Sequence, residues 1–257
     1  MDKKYIVPNL WRAIDVLEYL AQKPEGKTIS EVTEALSIPT NSVFRILRTL
    51  ASRGYVLQKH KRYEVSSKLF ALGAQAIAEE TLFERSLPVM REIRDELKET
   101  VLLGKLVGNK GVVLEQVPGT HPVKVIVEVG FNFNLHCSAP GKAILAFLPE
   151  SERDVILKGY RYTLHTPTTI SNEKAFMKVL QQVKSIGYAL DLEEGDEGVR
   201  CIGSPILNSH GFPVAAIWTT GPALRLNSKM CEKNGKLLIK KATDISKSLG
   251  YLSKEEK

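Results

Sequence analysis

Ile38-Pro39-Thr40-Asn41-Ser42-Val43-Phe44-Arg45-Ile46-Leu47-Arg48-Thr49-Leu50-Ala51-Ser52-Arg53-Gly54 is the stretch on which the fold of the N-terminal third turns. Val43, Ile46, Leu47 and Leu50 recur at spacings of three and four, which predicts a helix from about Thr40 to Arg53 with one buried stripe. A tight turn through Ser37-Ile38-Pro39 precedes it, and Gly54 supplies the left-handed stop. The other side carries Thr40, Asn41, Ser42, Phe44 and Arg45, with Arg48 one turn on. Thr40 is placed to cap the helix, while Asn41 can read adenine and Arg45 guanine.

Working outward, the N-terminal side holds a short helix with Ser30 as the expected N-cap, Glu31 and Glu34 near its positive end, and Val32, Ala35, Leu36 and Ile38 on its buried side. Before it, Asn9 to Gln22 repeats Leu10, Ala13, Ile14, Leu17, Leu20 and Ala21 at helical spacing and is stopped by Lys23-Pro24-Glu25-Gly26. On the C-terminal side, Tyr55–Gln58 and Tyr63–Val65 flank a basic tip, Lys59-His60-Lys61-Arg62, and read as a β-hairpin. Helix, turn, helix and hairpin make a winged helix-turn-helix over 1–67, with Lys59, Lys61 and Arg62 facing phosphate or the minor groove. The competing reading, a three-helix cap with a merely solvated polar face, has no use for the basic hairpin.

Charge agrees. The net charge is +7, and residues 1–68 hold 12 Lys/Arg against 7 Asp/Glu, whereas the remaining 189 residues hold 24 against 22. A basic N-terminal third is the electrostatic footprint of a nucleic-acid binder. The apolar and charged fractions, 43% and 25%, are those of a globular chain. No apolar run approaches the roughly 20 residues of a membrane span, and the start has no signal-peptide pattern, so a cytoplasmic protein is expected. Three dispersed cysteines, Cys137, Cys201 and Cys231, suggest neither a disulfide framework nor a zinc module.

Lys68 to Glu80 reads as a connector helix, giving a 68–81 linker element, and Leu82 to Glu99 as a further helix. From Val101 the period changes. Val101–Val107, Val112–Val117, Val123–Val129, Tyr188–Leu192, Val199–Leu207 and Val214–Thr219 read as strands; Gly141–Phe147, Ser151–Leu157, Asn172–Ile186 and Ser228–Leu249 read as helices. Strands and helices in separate runs predict an α+β domain on a largely antiparallel sheet over 82–257.

With these motifs in place, the chain resembles the IclR family of bacterial regulators along nearly its whole length. The N-terminal resemblance lies in Leu10–Leu20, Ile29–Val32, Val43–Val56 and Lys68–Gly73; the C-terminal one in His136–Leu148, Gly187–Glu194, Gly198–Cys201, Val214–Ile217 and Gly221-Pro222. The resemblance implies a GAF-like sensor domain, a homodimer or tetramer, operator DNA as partner, and an organic-acid or aromatic effector that alters operator affinity. It implies a pocket lined by Val125, Phe133, the turn Ser138-Ala139-Pro140-Gly141, Asp191, Val199, Cys201, Trp218 and Thr220. The helix entry at Gly141 is expected to offer N–H groups to a carboxylate. Two departures stand out: Trp218 occupies the place of a small hydroxyl residue, and Pro140 removes an N–H donor. An aromatic ligand stacked on Trp218 and a site filled by the indole are both open readings.

Enzyme chemistry has weak support. No Gly-x-Ser-x-Gly elbow occurs, and Gly141-Lys142 is not a phosphate loop because His136 and Ala143 stand where Gly and Ser/Thr are needed. Lys142 reads as a solvated helix residue, Glu193 and Glu194 as an exposed acidic turn, and Cys137 and Cys201 as small buried hydrophobes. His136, Asp191 and Cys201 are zinc-ligand types without a zinc-module spacing, so neither metal nor cofactor is expected. The remaining rival is a small-molecule enzyme with an N-terminal assembly module.

Overall fold

The computed structural model describes residues 7–76 and 80–252. The chain divides into two compact units, Met1–Glu79 and Glu80–Lys257.

In the first unit α1 (Pro8–Ala21), α2 (Ile29–Leu36) and α3 (Thr40–Ser52) enclose a core of Val16, Leu20, Val32, Val43, Leu47 and Val56. The cap of α2 differs from expectation: Thr28, not Ser30, is the N-cap. Its hydroxyl accepts from Glu31 N at 3.3 Å while Glu31 Oε2 accepts from Thr28 N at 2.8 Å. Thr28-x-x-Glu31 is a capping box, and two reciprocal bonds outweigh the one that Ser30 could make. Ser37 closes α2 with φ of 53°. Strands β1 (Val56–Lys59) and β2 (Arg62–Val65) form the wing; β1 lies one residue later than read from sequence and β2 begins one residue earlier, so only His60 and Lys61 form its turn. Lys27 adds a bridge to Tyr63, with N–H to O distances of 2.9 and 2.8 Å.

The predicted connector begins as α4 (Ser67–Ala76), fastened to the same unit. Lys68 Nζ donates to Arg53 O at 2.7 Å and lies 4.7 Å from the Tyr55 ring centroid. Residues 77–79 of the expected connector, Ile77 included, lie outside the described residues.

The second unit opens with α5 (Glu80–Leu97), then β3 (Thr100–Val107), β4 (Lys110–Val117), β5 (Asn132–Phe133), α6 (Ala139–Phe147), α7 (Glu150–Leu157), α8 (Glu173–Ile186), β6 (Ala189–Leu192), β7 (Val199–Leu207), β8 (Pro213–Pro222) and α9 (Ser228–Ser248). The strands form one antiparallel sheet in the order β5-β4-β3-β8-β7-β6. Alternation sorts the strand residues between two faces. Val101, Leu103, Ile202, Ile206 and Ile217 pack with Met90 and Ile93 of α5 and Leu238, Ala242 and Ile245 of α9. On the opposite face, Leu102 and Trp218 meet Val113, while Ala216 packs with Ala143 of α6 and Phe176 and Leu180 of α8. The architecture is the expected mixed α+β.

Val123–Val129 is not a strand, contrary to its β-branched composition. The outer edge of β4 pairs with β5 and accepts Gly130 N at Val113 O (2.8 Å), so this segment is held by side chains instead. Thr100 Oγ1 donates to Val125 O at 2.6 Å, Gln116 Oε1 accepts from Val127 N at 2.8 Å, and Arg225 donates to Val123 O at 2.9 Å.

Candidate nucleic-acid interface and effector cavity

On α3, Val43, Ile46 and Leu47 are buried, while Asn41, Phe44, Arg45 and Arg48 are exposed along one stripe; Phe44, an apolar ring, is 48% exposed. Thr40 is also exposed, and Ser42 is half-buried. The helix has Pro39 as N-cap with no side-chain cap bond, so the Thr40 hydroxyl does not cap it. Ser42 N and Val43 N both turn to Pro39 O, at 2.8 and 3.1 Å. The wing residues differ in freedom. Lys59 Nζ pairs with Glu64 at 2.5 Å, and Arg62 donates to Gly26 O at 2.9 Å and Glu31 Oε2 at 3.3 Å. Among the described residues Lys61, at the turn, has no ion-pair partner. Arg62 therefore braces the wing against α2, and the exposed cation at the tip is Lys61. Glu31, which also receives Thr28 N and neighbours Lys27, is held at a pKa of about 2, chiefly by the Thr28 hydrogen bonds.

In the second unit a cavity of about 310 Å³ opens beside Trp218, Phe133, Val125, Asp191, Val199 and Thr220. Cys201, Ser138 and Pro140 line it too; Ala139 and Gly141, expected there, do not. Gly141 faces the other way: a Cβ there would meet Leu135 O at 2.5 Å, so its lack of a side chain serves close backbone packing. The expected run of N–H donors is also reduced. Ser138 caps α6 by accepting from Gly141 N at 3.2 Å, its hydroxyl donates to Asn134 O, and Pro140 has no N–H.

Two strand glycines make room for the aromatic wall. A Cβ on Gly111 would meet Phe133 Cε2 at 1.9 Å, and one on Gly104 would lie 3.0 Å from both Phe133 and Trp218. Trp218, 5% exposed, lies in this wall, its ring 5.5 Å from that of Phe133 at 67°. The indole lines the cavity rather than filling it.

Asp191 is 6% exposed, and its Oδ1 accepts from Glu194 N at 2.8 Å and Gly195 N at 3.4 Å. Burial pushes its pKa up to about 6, with Lys142 opposing. Lys142 corrects the sequence reading: it is 1% exposed, not solvated, and donates to Leu190 O at 2.7 Å and Glu194 Oε1 at 2.5 Å. Glu194 is likewise buried rather than exposed, and half-buried Glu193 pairs with Arg200 at 2.8 Å. A buried amine needs a buried anion, and only the folded β6 turn brings one.

The Cys201 thiol donates to Thr220 Oγ1 at 3.2 Å, and burial raises its pKa well above the ordinary value; burial pushes Cys137 up to about 12. Such thiols are poor nucleophiles. The zinc-type trio of the sequence reading does not assemble; among the described residues the group close enough to share an ion is His136, Cys137 and His165, with ligand atoms within 4.8 Å. His136 has no nitrogen to spare. One ring nitrogen meets the Thr163 carbonyl at 3.0 Å and the other the Tyr160 hydroxyl at 3.0 Å, while burial lowers its pKa. Among the described residues no helix is long and apolar enough to cross a membrane.

A winged helix-turn-helix followed by a separate ligand-cavity domain defines a DNA-binding transcription regulator with a C-terminal effector-binding domain. The family model for the bacterial transcriptional regulator IclR C-terminal domain matches residues 74–247, and that for the IclR helix-turn-helix domain matches residues 10–60. The chain belongs to the IclR family, whose members are DNA-binding regulators, not enzymes. It is 31% identical over 243 residues to the HTH-type transcriptional repressor AllR of Escherichia coli (strain K12), covering 94% of this chain and 90% of the relative. The crystal structure of Thermotoga maritima IclR is 30% identical with a TM-score of 0.78, covering 95% of this chain and 99% of that one. An IclR homolog from Microbacterium hydrocarbonoxydans, complexed with 4-hydroxybenzoate, shares the fold at 21% identity and a TM-score of 0.83, covering 94% and 98%.

Proposed function

We propose that α3 enters the major groove of double-stranded operator DNA, that Lys61 meets the phosphate backbone, and that a small ligand in the Trp218–Asp191 cavity changes operator affinity. The observation that carries the DNA reading is the exposed stripe of Asn41, Phe44, Arg45 and Arg48 on a helix whose other side is buried. Asn41 and Arg45 supply base-edge contacts, Phe44 an apolar contact with thymine methyl groups, and Arg48 a contact one turn further on. The protein acts as a homodimer or tetramer on a palindromic site with half-sites about 34–36 Å apart.

Trp218 and Phe133 favour a planar effector. An indole in the wall supports a working sensor over a blocked one, and thiols held protonated support binding over turnover. The aromatic ring of the 4-hydroxybenzoate bound to the Microbacterium homolog supports a planar ligand. Fluorescence anisotropy with fragments from upstream of the protein's own gene tests the reading. Preferential binding over random competitor at moderate salt is expected, weakened by Arg45→Ala. Equal affinity for every fragment, with and without candidate metabolites, overturns it.

A further inference from the structure

Resting on the reading of this cavity as the effector site, we infer that it takes an uncharged planar molecule that donates a hydrogen bond to Asp191, of the aromatic alcohol or aromatic amide class, and turns away free carboxylates.

The charge around the cavity has the wrong sign for an anion. Its lining includes the carboxylates of Asp191 and Asp196 and no Lys or Arg. Lys142 does not line the cavity, and its ammonium donates to Leu190 O and Glu194 Oε1. Asp191, Glu194 and Lys142 together sum to one negative charge. On the rim, His165 Nε2 accepts from Asn134 Nδ2 at 3.1 Å, which spends that nitrogen.

The helix end offers little in compensation. A carboxylate at a helix N-terminus is held by several convergent N–H groups. Here Gly141 N is taken by Ser138 Oγ, Lys142 N by Ser138 O at 3.1 Å, and Pro140 has none, which leaves Ala139 N. The Ser138 hydroxyl hydrogen is likewise spent on Asn134 O.

The inner wall presents acceptors instead. Asp191 draws its two backbone donors through Oδ1, which leaves Oδ2 in need of a donor, and burial has raised its pKa. A ligand O–H or N–H meets that need without adding charge. The rings of Trp218 and Phe133 set the planar shape.

The test is thermal unfolding and calorimetric titration of the full chain at pH 7.5 with benzamide, benzyl alcohol and benzoate, which share a ring and differ in charge. Benzamide or benzyl alcohol is expected to raise Tm with concentration and to bind at least roughly tenfold more tightly than benzoate. Asp191→Asn should erase that preference, and Pro140→Ala, which restores an N–H, should improve benzoate binding. Benzoate binding as tightly as benzamide overturns the inference while leaving the cavity as the effector site. An unchanged preference in Asp191→Asn overturns it as well. If none of the three binds, this inference and the reading of the cavity fail together.

Discussion

Lys142 Nζ and Glu194 Oε1 lie 2.5 Å apart, with the lysine side chain 1% and the glutamate 11% exposed, and this pair ties α6 to the turn that follows β6. The same turn is held from its other side by Thr166 and Thr169, whose hydroxyls donate to Glu193 O and Glu194 O at 2.7 Å each. Glu194 N in turn fixes Asp191. The ion pair thus sets the geometry of a cavity residue that it does not itself present to a ligand.

Lys142→Met leaves Glu194 buried without its cation beside a second buried carboxylate. Breaking such a pair from one side costs about 3–5 kcal/mol. Urea unfolding of the variant should show a loss of that order, and a loss below about 1 kcal/mol would mean that Glu194 reaches water or another donor.

Asp191 makes stability depend on pH. The folded carboxyl keeps its proton up to about 6 against the ordinary 3.8. Between those values the folded state binds the extra proton, so this contribution is full below 3.8 and is lost as pH rises through about 6. At 1.36 kcal/mol per unit the loss is on the order of 3 kcal/mol. The difference between wild-type and Asp191→Asn unfolding curves should fall across that window and be flat above it; a flat difference throughout contradicts the assignment.

Gly111→Ala drives a methyl group into Phe133, whose Cε2 would stand 1.9 Å away. The ring and β5 must shift, at a cost of about 1–3 kcal/mol. Denaturant melts should show that loss together with weaker binding of whatever ligand the wild-type cavity takes. Undiminished stability would show that Phe133 is free to swing aside.

The DNA face separates by chemistry. Arg45→Ala should weaken cognate binding by about 1–3 kcal/mol and relax one base position, whereas Lys61→Ala should weaken all sequences alike and shallow the salt slope. Arg62→Ala should act through the wing, since Arg62 bonds Gly26 and Glu31. Competition assays on cognate and random duplexes distinguish these; an equal loss on both for Arg45→Ala makes it a phosphate contact.

Much of this molecule is local and therefore legible along the chain. The stripe Val43, Ile46, Leu47 and Leu50 against Asn41, Arg45 and Arg48 is a property of helical period alone, and Gly54 ends the helix with φ of 75° as only glycine does easily. Val199–Leu207 reads as a strand to the residue, although its burial runs in one block, Ile202 to Leu207, rather than in alternation. Even the missed cap of α2 was present as Thr28-x-x-Glu31, a pattern more specific than a lone Ser30.

What sequence left undecided was decided between segments far apart in the chain. Lys142 and Glu194 are 52 residues apart, and no local pattern tells a solvated lysine from one buried against an acid. Val123–Val129 has strand composition, but pairing depends on a free edge, and β5 and the side chains of Thr100, Gln116 and Arg225 had already taken the partners. Helix and strand identity came from the repeat of side chains along the backbone. Burial, charge pairing and the place of Trp218 in a wall came from the assembled sheet, because desolvation acts on a side chain only once its neighbours are in place.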